Sequence, residues 1–487
     1  MGRFVNPDNS AFQVALNAEI YLDKTGLIAY ANRVLDTPDA YICNSRPRRF
    51  GKSYAANMLA AYYSRGTDSE KMFADLDIGK TPLFRTHLNR YDVIHIDVQW
   101  FRSYADGNIV SVITESVMEE LRDIYPDILP SEVASLPDAL SRVREKTGRK
   151  FVIIIDEWDV LIRDASADTK IQNEYISFLR GLFKGVEPTK YIALAYLTGI
   201  LPIKKEKTQS ALNNFNEFTM LSPGPLAPFI GFTEDEVQRL CSTYHRDFGE
   251  VKRWYNGYLL NGQQIYNPRA VVSVMQRQEF RSYWSETASY DAIVPLINMD
   301  YDGLKTAVIE MLSGASVKVN TATFKNDTAN INSKDDVLTY LIHLGYLGYD
   351  QRERTASVPN EEIRQELTTA VFRSLFSAFR NRLFIVNNIF YLHFCLCLTE
   401  QDGIVIVRLI RANLRPYKLG LNELLCDFFQ RLTVPFIHTE KEERHHDEDH
   451  ADGCHAGIAV GLEQKERRDT DQCARPKAEK LTFCQIK

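Results

Sequence analysis

The stretch YICNSRPRRFGKSYAANML, residues 41–59, runs from an apolar segment through a basic loop into an amphipathic one. A phosphate-binding loop follows a buried strand and opens a helix, so that backbone N–H groups and the helix dipole face the phosphates. In the standard pattern, Gly-x-x-x-x-Gly-Lys-Ser/Thr, Gly51 would let the backbone approach, Lys52 would reach the β- and γ-phosphates and Ser53 would hold Mg²⁺. Arg46 stands where the first glycine belongs, so the loop needs independent support.

That support comes from FVIIIDE, residues 151–157, about a hundred residues further on. A hydrolysing site needs an acidic element at the end of a buried strand, to hold the metal's water shell and orient the attacking water. Asp156 fits the metal position and Glu157 the general base. Alone, an apolar run ending in Asp-Glu reads as a strand meeting a solvated acidic turn, and FGKS alone reads as a surface turn. In this order, with another strand and helix between them, they read together as a nucleotide site. The next apolar run, YIALAYLTG (191–199), ends near Thr198. Thr198 has two readings, a sensor of the γ-phosphate and an ordinary strand-end threonine.

Between residues 40 and 200 short apolar runs alternate with longer amphipathic segments. Strands are expected at DAYICNS, YDVIHIDVQW, RKFVIIIDE and KYIALAYLTG, and helices at KSYAANMLAAYYSRG, IVSVITESVMEELRDIY, LPDALSRVREKTG and TKIQNEYISFLRGLFKG. Continuous apolar strands spaced by helices imply a parallel sheet covered on both faces, a three-layer α/β fold of the P-loop NTPase type. From about residue 226 the pattern turns mainly helical. Thr233 and Glu236 stand at capping-box spacing in FTEDEVQRLCSTY, and helical periodicity recurs in SKDDVLTYLIHLGYL and PNEEIRQELTTAVFRSLFSAF, with an extended piece at RTASVPN.

The 487 residues are enough for two or three domains. Hydrophobic residues at 45%, charged residues at 25% and a formal net charge of -6 match ordinary globular proteins and give no basic field for coating nucleic acid. The N-terminus lacks the apolar core of a secretory signal, which makes the cytoplasm the default location. The most apolar stretch, LFIVNNIFYLHFCLCL, is interrupted by Asn387-Asn388 and falls short of the roughly 20 residues a membrane span needs.

The motifs YLDKTGLI (21–28), SRPRRFGKSYAANML (45–59), IIIDEWDVLI (153–162), LTGILPIKKE (197–206), WYNGY (254–258), YNPRAVV (266–272), YWSETASYDAI (283–293) and PNEEIRQEL (359–367), in this order, resemble the predicted AAA-ATPase-like family of bacteria. The resemblance spans residues 15–377, and in that family the loop itself reads R-P-R-R-F-G-K-S. It implies a P-loop AAA-ATPase-like domain over 15–225 and a helical domain over 226–377. By position, Lys52, Ser53, Asp156 and Glu157 inherit the nucleotide roles, with ATP and Mg²⁺ as cofactors. Arg46, Arg48 and Arg49 either touch phosphates or steady the loop by pairing with carboxylates. Asp23 and Lys24 lie near the nucleotide or form a structural turn, and Arg180 is a weaker candidate for a charge-stabilising finger. The aromatic residues of WYNGY and YWSETASYDAI read as core or interdomain packing.

Family members commonly continue into a domain resembling the PD-(D/E)xK nucleases, and this chain departs there. Composition changes near residue 378: only Cys43 and Cys241 precede residue 390, and the other cysteines crowd the end with His393, His438, His445, His446, His450 and His455. Asp452, Glu463 and Lys465 match the nuclease spacing by chance, and the run 445–455 reads as solvated rather than as a zinc site. Residues 378–487 are expected to be a disordered or out-of-frame remnant. The chain as a whole reads as a Mg²⁺-dependent ATPase module with an unidentified output. A non-catalytic nucleotide-binding module and a small-molecule kinase are the rivals. A homo-oligomer stays open, and nucleic acid enters only through the resemblance.

Overall fold

Strands whose every residue is buried need cover on both faces, because successive side chains point to opposite sides. Three strands here meet that condition: β1 (Tyr41–Ser45), β3 (Phe151–Asp156) and β4 (Ile192–Gly199). With β2 (Asp92–Asp97) and β5 (Asn216–Phe218) they form one sheet in the order β2-β3-β4-β1-β5. Every pairing in it is parallel. The computed structural model describes residues 2–372, except 106, 164–167, 204, 207–208, 285–293, 300, 302 and 329–330, and also residues 400–401 and 404–405.

The crossovers are the expected helices. α1 (Ser10–Leu16) and α2 (Gly26–Val34) precede the sheet, and α3 (Lys52–Tyr63) follows β1. α4 (Ile109–Ile124), α5 (Leu136–Thr147) and α6 (Thr169–Phe183) each bury one apolar stripe, such as Ile109, Ile113, Val117 and Leu121 of α4. This is the three-layer α/β fold expected from the alternation of runs. The edge strand β5 was not expected. It is three half-buried residues that a pattern of apolar runs does not pick out.

Beyond β5 the chain is mostly helical: α7 (Glu234–Tyr244), α8 (Phe248–Tyr255), α9 (Pro268–Arg277), α10 (Leu304–Leu312), α11 (Lys334–Leu344) and α12 (361–372). Two small antiparallel sheets accompany the helices. One joins Phe232–Thr233, Gln263–Tyr266 and Tyr258–Leu260; the other joins Val317–Lys318, Thr355–Ser357 and Gly348–Asp350. Thr355–Ser357 lies within the extended piece read from RTASVPN. Strands of two to four residues have too few positions to show a period of two, which is why the others escaped.

The capping box forms as expected. Glu236 N–H donates to Thr233 Oγ1 at 3.4 Å, and Thr233 N–H donates to Glu236 Oε2 at 2.7 Å. Glu236 also receives Lys24 Nζ at 2.6 Å, which fastens the start of α7 to the turn before α2. Thr233→Ala should therefore lower stability by about 1 kcal/mol, read as a shift in the denaturation midpoint. Among the described residues no helix is long and apolar enough to cross a membrane. The expectations for residues 378–487, including Asp452, Glu463 and Lys465, fall outside the described residues apart from two residue pairs.

Candidate functional site

The ends of β1, β3 and β4 carry the residues singled out by the sequence. Parallel strands place their carboxyl ends on one rim, and β4 lies between β1 and β3, in register with Asn44↔Thr198 on one side and Ile155↔Leu197 on the other. Asp156 and Asp97 stand side by side at the ends of β3 and β2.

The loop from Arg46 to Gly51 leaves β1 and turns into α3. Gly51 is the N-cap of α3 with φ 93°, and a Cβ built on it would meet nothing within 4 Å, so backbone conformation alone requires glycine here. Arg49 also lies in the left-handed region, at φ 68°. Lys52, the first residue of the helix, is buried; its Nζ donates to the Pro47 carbonyl at 3.0 Å and lies 3.6 Å from Glu157 Oε1. Ser53 is exposed on the next position, and its hydroxyl is near enough to the Asp156 carboxylate to favour the ionised form.

Asp156 is buried, and burial is the main reason its carboxyl is pushed up to about 6. The Ser53 hydroxyl and the Lys52 ammonium oppose that shift, and Glu157 and Asp97 add to it. Asp97, not singled out from the sequence, caps the following turn by accepting from Trp100 N–H at 3.1 Å. Glu157 has φ 53°, a left-handed backbone that a glutamate rarely adopts. Its Oε1 faces Lys52, and its Oε2 lies 2.5 Å from Arg163. Glu157 is thus held between two cations.

Arg163 is anchored in turn. Its Nε donates to Asp159 Oδ2 at 2.8 Å, and the same oxygen accepts Ile200 N–H at 3.1 Å and Leu201 N–H at 2.7 Å. A Cβ on Gly199 would lie 2.5 Å from Asp159 Oδ1, so this glycine makes room for the carboxylate. Asp159 and Arg163 therefore connect Glu157 to the turn after β4. Sequence reading missed both, because DVLIR reads as an ordinary apolar turn of helix. The available signal was a carboxylate and an arginine four residues apart beside the acidic pair.

Thr198 is fully buried, and among the described residues its Oγ1 has no hydrogen-bond partner. Its carbonyl accepts Trp158 N–H at 3.0 Å, which ties the end of β4 to the residue after Glu157. Arg46 is also fully buried, with Nη1 donating to the Ser45 carbonyl at 2.8 Å and to the Phe218 carbonyl at 3.1 Å. Burial holds its guanidinium down to about 10. The structure thus places Arg46 on backbone carbonyls beneath the loop, where it joins β1 to β5, rather than on a carboxylate. Arg48 is exposed. Asp23 accepts from Thr25 and Asp77, and Lys24 reaches Pro228 O and Glu236, so both belong to a turn. Arg180 donates to the Ala211 carbonyl.

The arrangement gathers an ammonium, a hydroxyl, two carboxylates and a buried threonine hydroxyl near a helix N-terminus. Residues 11–208 match the family model described as Predicted AAA-ATPase. The matched segment includes Lys52, Ser53, Asp156, Glu157, Asp159, Arg163 and Thr198. A curated relative, an uncharacterized protein in the vnfD 5′ region of Azotobacter chroococcum mcd 1, is 28% identical over 294 residues. The alignment covers 57% of this chain and 52% of the relative, so the chain spans about half the relative's length. Among solved structures, the Aeropyrum pernix ORC2 protein (ADPNP-ADP complexes) is 12% identical with a TM-score of 0.33, covering 76% of this chain and 98% of that one.

Proposed function

We propose that this chain binds ATP with Mg²⁺ at the Lys52–Asp156 rim and hydrolyses it, within a nucleotide domain over 15–225 that acts on a second domain over 226–377. The reading rests on one observation: Lys52, Ser53, Asp156, Glu157 and Thr198, from three separate segments, converge on one rim of a parallel sheet. The AAA-ATPase-like match over these segments supports it. The N–H groups at the start of α3 and Lys52 would bind the phosphates, with Arg48 and Arg49 at the loop's outer turn. The orphaned Thr198 hydroxyl suits a phosphate oxygen.

The donor set also fits a magnesium ion. A hydroxyl and a buried carboxylate facing each other are hard oxygen ligands, and a cation there would relieve the cost of ionising Asp156. When bound, the metal would neutralise charge that develops on the phosphates. Glu157 then orients and deprotonates water, which requires that it leave at least one of its two cations. Phosphates compete with Glu157 for Lys52, so nucleotide itself begins that release. Hydrolysis would change the loop and, through it, the second domain.

Phosphate release from ATP by the purified chain, with Mg²⁺ and with chelator, tests the reading. Lys52→Ala should abolish detectable ATP binding and turnover together, because it removes the buried ammonium at the start of α3. Equal turnover in wild type and Lys52→Ala would sink the assignment.

A further inference from the structure

Three of the motifs quoted above take no part in the chemistry so far: WYNGY, the start of YWSETASYDAI, and PNEEIRQEL. The structure folds them onto one another. Glu362, buried near the start of α12, accepts Tyr283 N–H at 2.8 Å and Trp284 N–H at 3.0 Å on the same oxygen. Glu366, one turn on, accepts the Ser282 hydroxyl. Asn360 donates to the Asn256 carbonyl at 2.7 Å and caps α12 by accepting Ile363 N–H at 2.9 Å. Any side chain on Gly257 would collide with the Pro359 carbonyl. The result is a polar knot of three distant segments.

The knot abuts the phosphate loop. A Cβ on Gly345 would lie 2.8 Å from Pro47 Cβ and 2.9 Å from Trp284 Cη2, so Pro47 and Trp284 both press on this glycine. The Phe50 ring packs edge-on against Tyr258 at 5.3 Å between centroids, and Tyr258 in turn donates to the Gly345 carbonyl at 2.6 Å. Arg49 is near enough to act electrostatically on Glu362. Both ends of Pro47–Phe50 thus touch residues outside the sheet, and Arg49 stands between them.

We propose that Glu362 is a positioning residue for the phosphate loop: through the Tyr283–Trp284 turn and Arg49 it fixes the segment Pro47–Phe50, so that phosphates in the loop and order in that turn are coupled. The coupling rests on the nucleotide reading above and names the route from the site to the helical part. Phosphates drawing on Arg49 compete with Glu362 for the same guanidinium. A close-packed contact transmits such a shift because it has no slack to absorb it.

Charge gives the coupling a signature. Burial raises the Glu362 carboxyl to about 8; the Tyr283 and Trp284 N–H groups and Arg49 oppose the shift, Glu366 adds to it, and Tyr255 and Tyr258 also face it. Drawing Arg49 toward phosphates removes a lowering influence, so nucleotide binding takes up a proton and weakens as pH rises through about 8. Glu362→Gln keeps the size and one acceptor oxygen while removing the charge.

The test uses the full chain with Mg²⁺-ATP, titration calorimetry from pH 7 to 9, and hydrogen exchange at residues 278–284. In wild type, ATP should slow exchange at Tyr283 and Trp284; Glu362→Gln, which removes the charge that competes for Arg49, should abolish that slowing, flatten the pH dependence and bind ATP about tenfold more tightly than wild type at pH 9. Pro47→Ala, which trims the wedge without touching the knot, should also lose the slowing. A folded Glu362→Gln with wild-type affinity, exchange and pH profile overturns the proposal; if that variant does not fold, a wild-type response in Pro47→Ala overturns it. Failure of the unmutated chain to bind ATP overturns the nucleotide reading and this coupling with it, whereas normal ATP binding without the exchange response overturns the coupling alone.

Discussion

Glu157→Gln should lower phosphate release from ATP by about a hundredfold to ten-thousandfold while ATP affinity stays close to wild type. Glutamine keeps the length of the side chain and offers one oxygen to Lys52 or Arg163, so the surroundings that hold Glu157 are largely preserved. What it loses is basicity. If Glu157 takes the proton from water, that loss falls on the chemical step and leaves binding by Lys52 and the loop N–H groups intact. Single-turnover phosphate release beside equilibrium ATP binding separates the two quantities. Parallel loss of both would make Glu157 a structural partner of Lys52, and unchanged turnover would remove it from the chemistry. The left-handed backbone at Glu157 sharpens the comparison, because strain kept at one residue is retained where the surrounding structure enforces it. Trp158 N–H bonded to Thr198 O and Glu157 N–H bonded to Asp156 Oδ1 are the enforcing contacts.

The parts of this molecule that were legible in the sequence are those where a local pattern carries the cause. Five apolar residues before Asp156 declare a buried strand and the point at which it meets the rim. Gly51-Lys52-Ser53 declares a turn into a helix, and Thr233 with Glu236 declares a helix start. In each case the deciding interaction lies within a few residues. The features that were not legible depend on partners distant in sequence. Arg46 is explained by the carbonyl of Phe218, 172 residues away, on a strand too short and too polar to announce itself. Glu362 is explained by the N–H groups of Tyr283 and Trp284, and the need for glycine at 345 by Pro47. Asp159 and Arg163 are an intermediate case, since their mutual spacing is local but the Ile200 and Leu201 N–H groups that fix Asp159 are not.

Asp159→Ala should cost about 3–5 kcal/mol, the range for breaking a buried charge pair by removing one partner. The carboxylate is fully buried, and one oxygen serves Arg163 and two backbone donors of the turn after β4. Alanine leaves those two N–H groups without their acceptor and leaves the Arg163 guanidinium, itself largely buried, with Glu157 as its remaining ion-pair partner among the described residues. Urea unfolding followed through the tryptophans reports the loss directly. A cost under about 1 kcal/mol, the level of an exposed pair, would mean that water reaches the cluster and that Asp159 does not anchor it. The same variant bears on catalysis in a way a purely structural residue does not. Arg163 would lose the support that fixes its distance from Glu157, so an unanchored guanidinium would follow the glutamate and keep it paired. Turnover should therefore fall further in Asp159→Ala than in the double variant Asp159→Ala/Arg163→Ala, even though the double variant lacks both partners. A lower turnover in the double variant would instead make Arg163 a support that Glu157 needs in order to act.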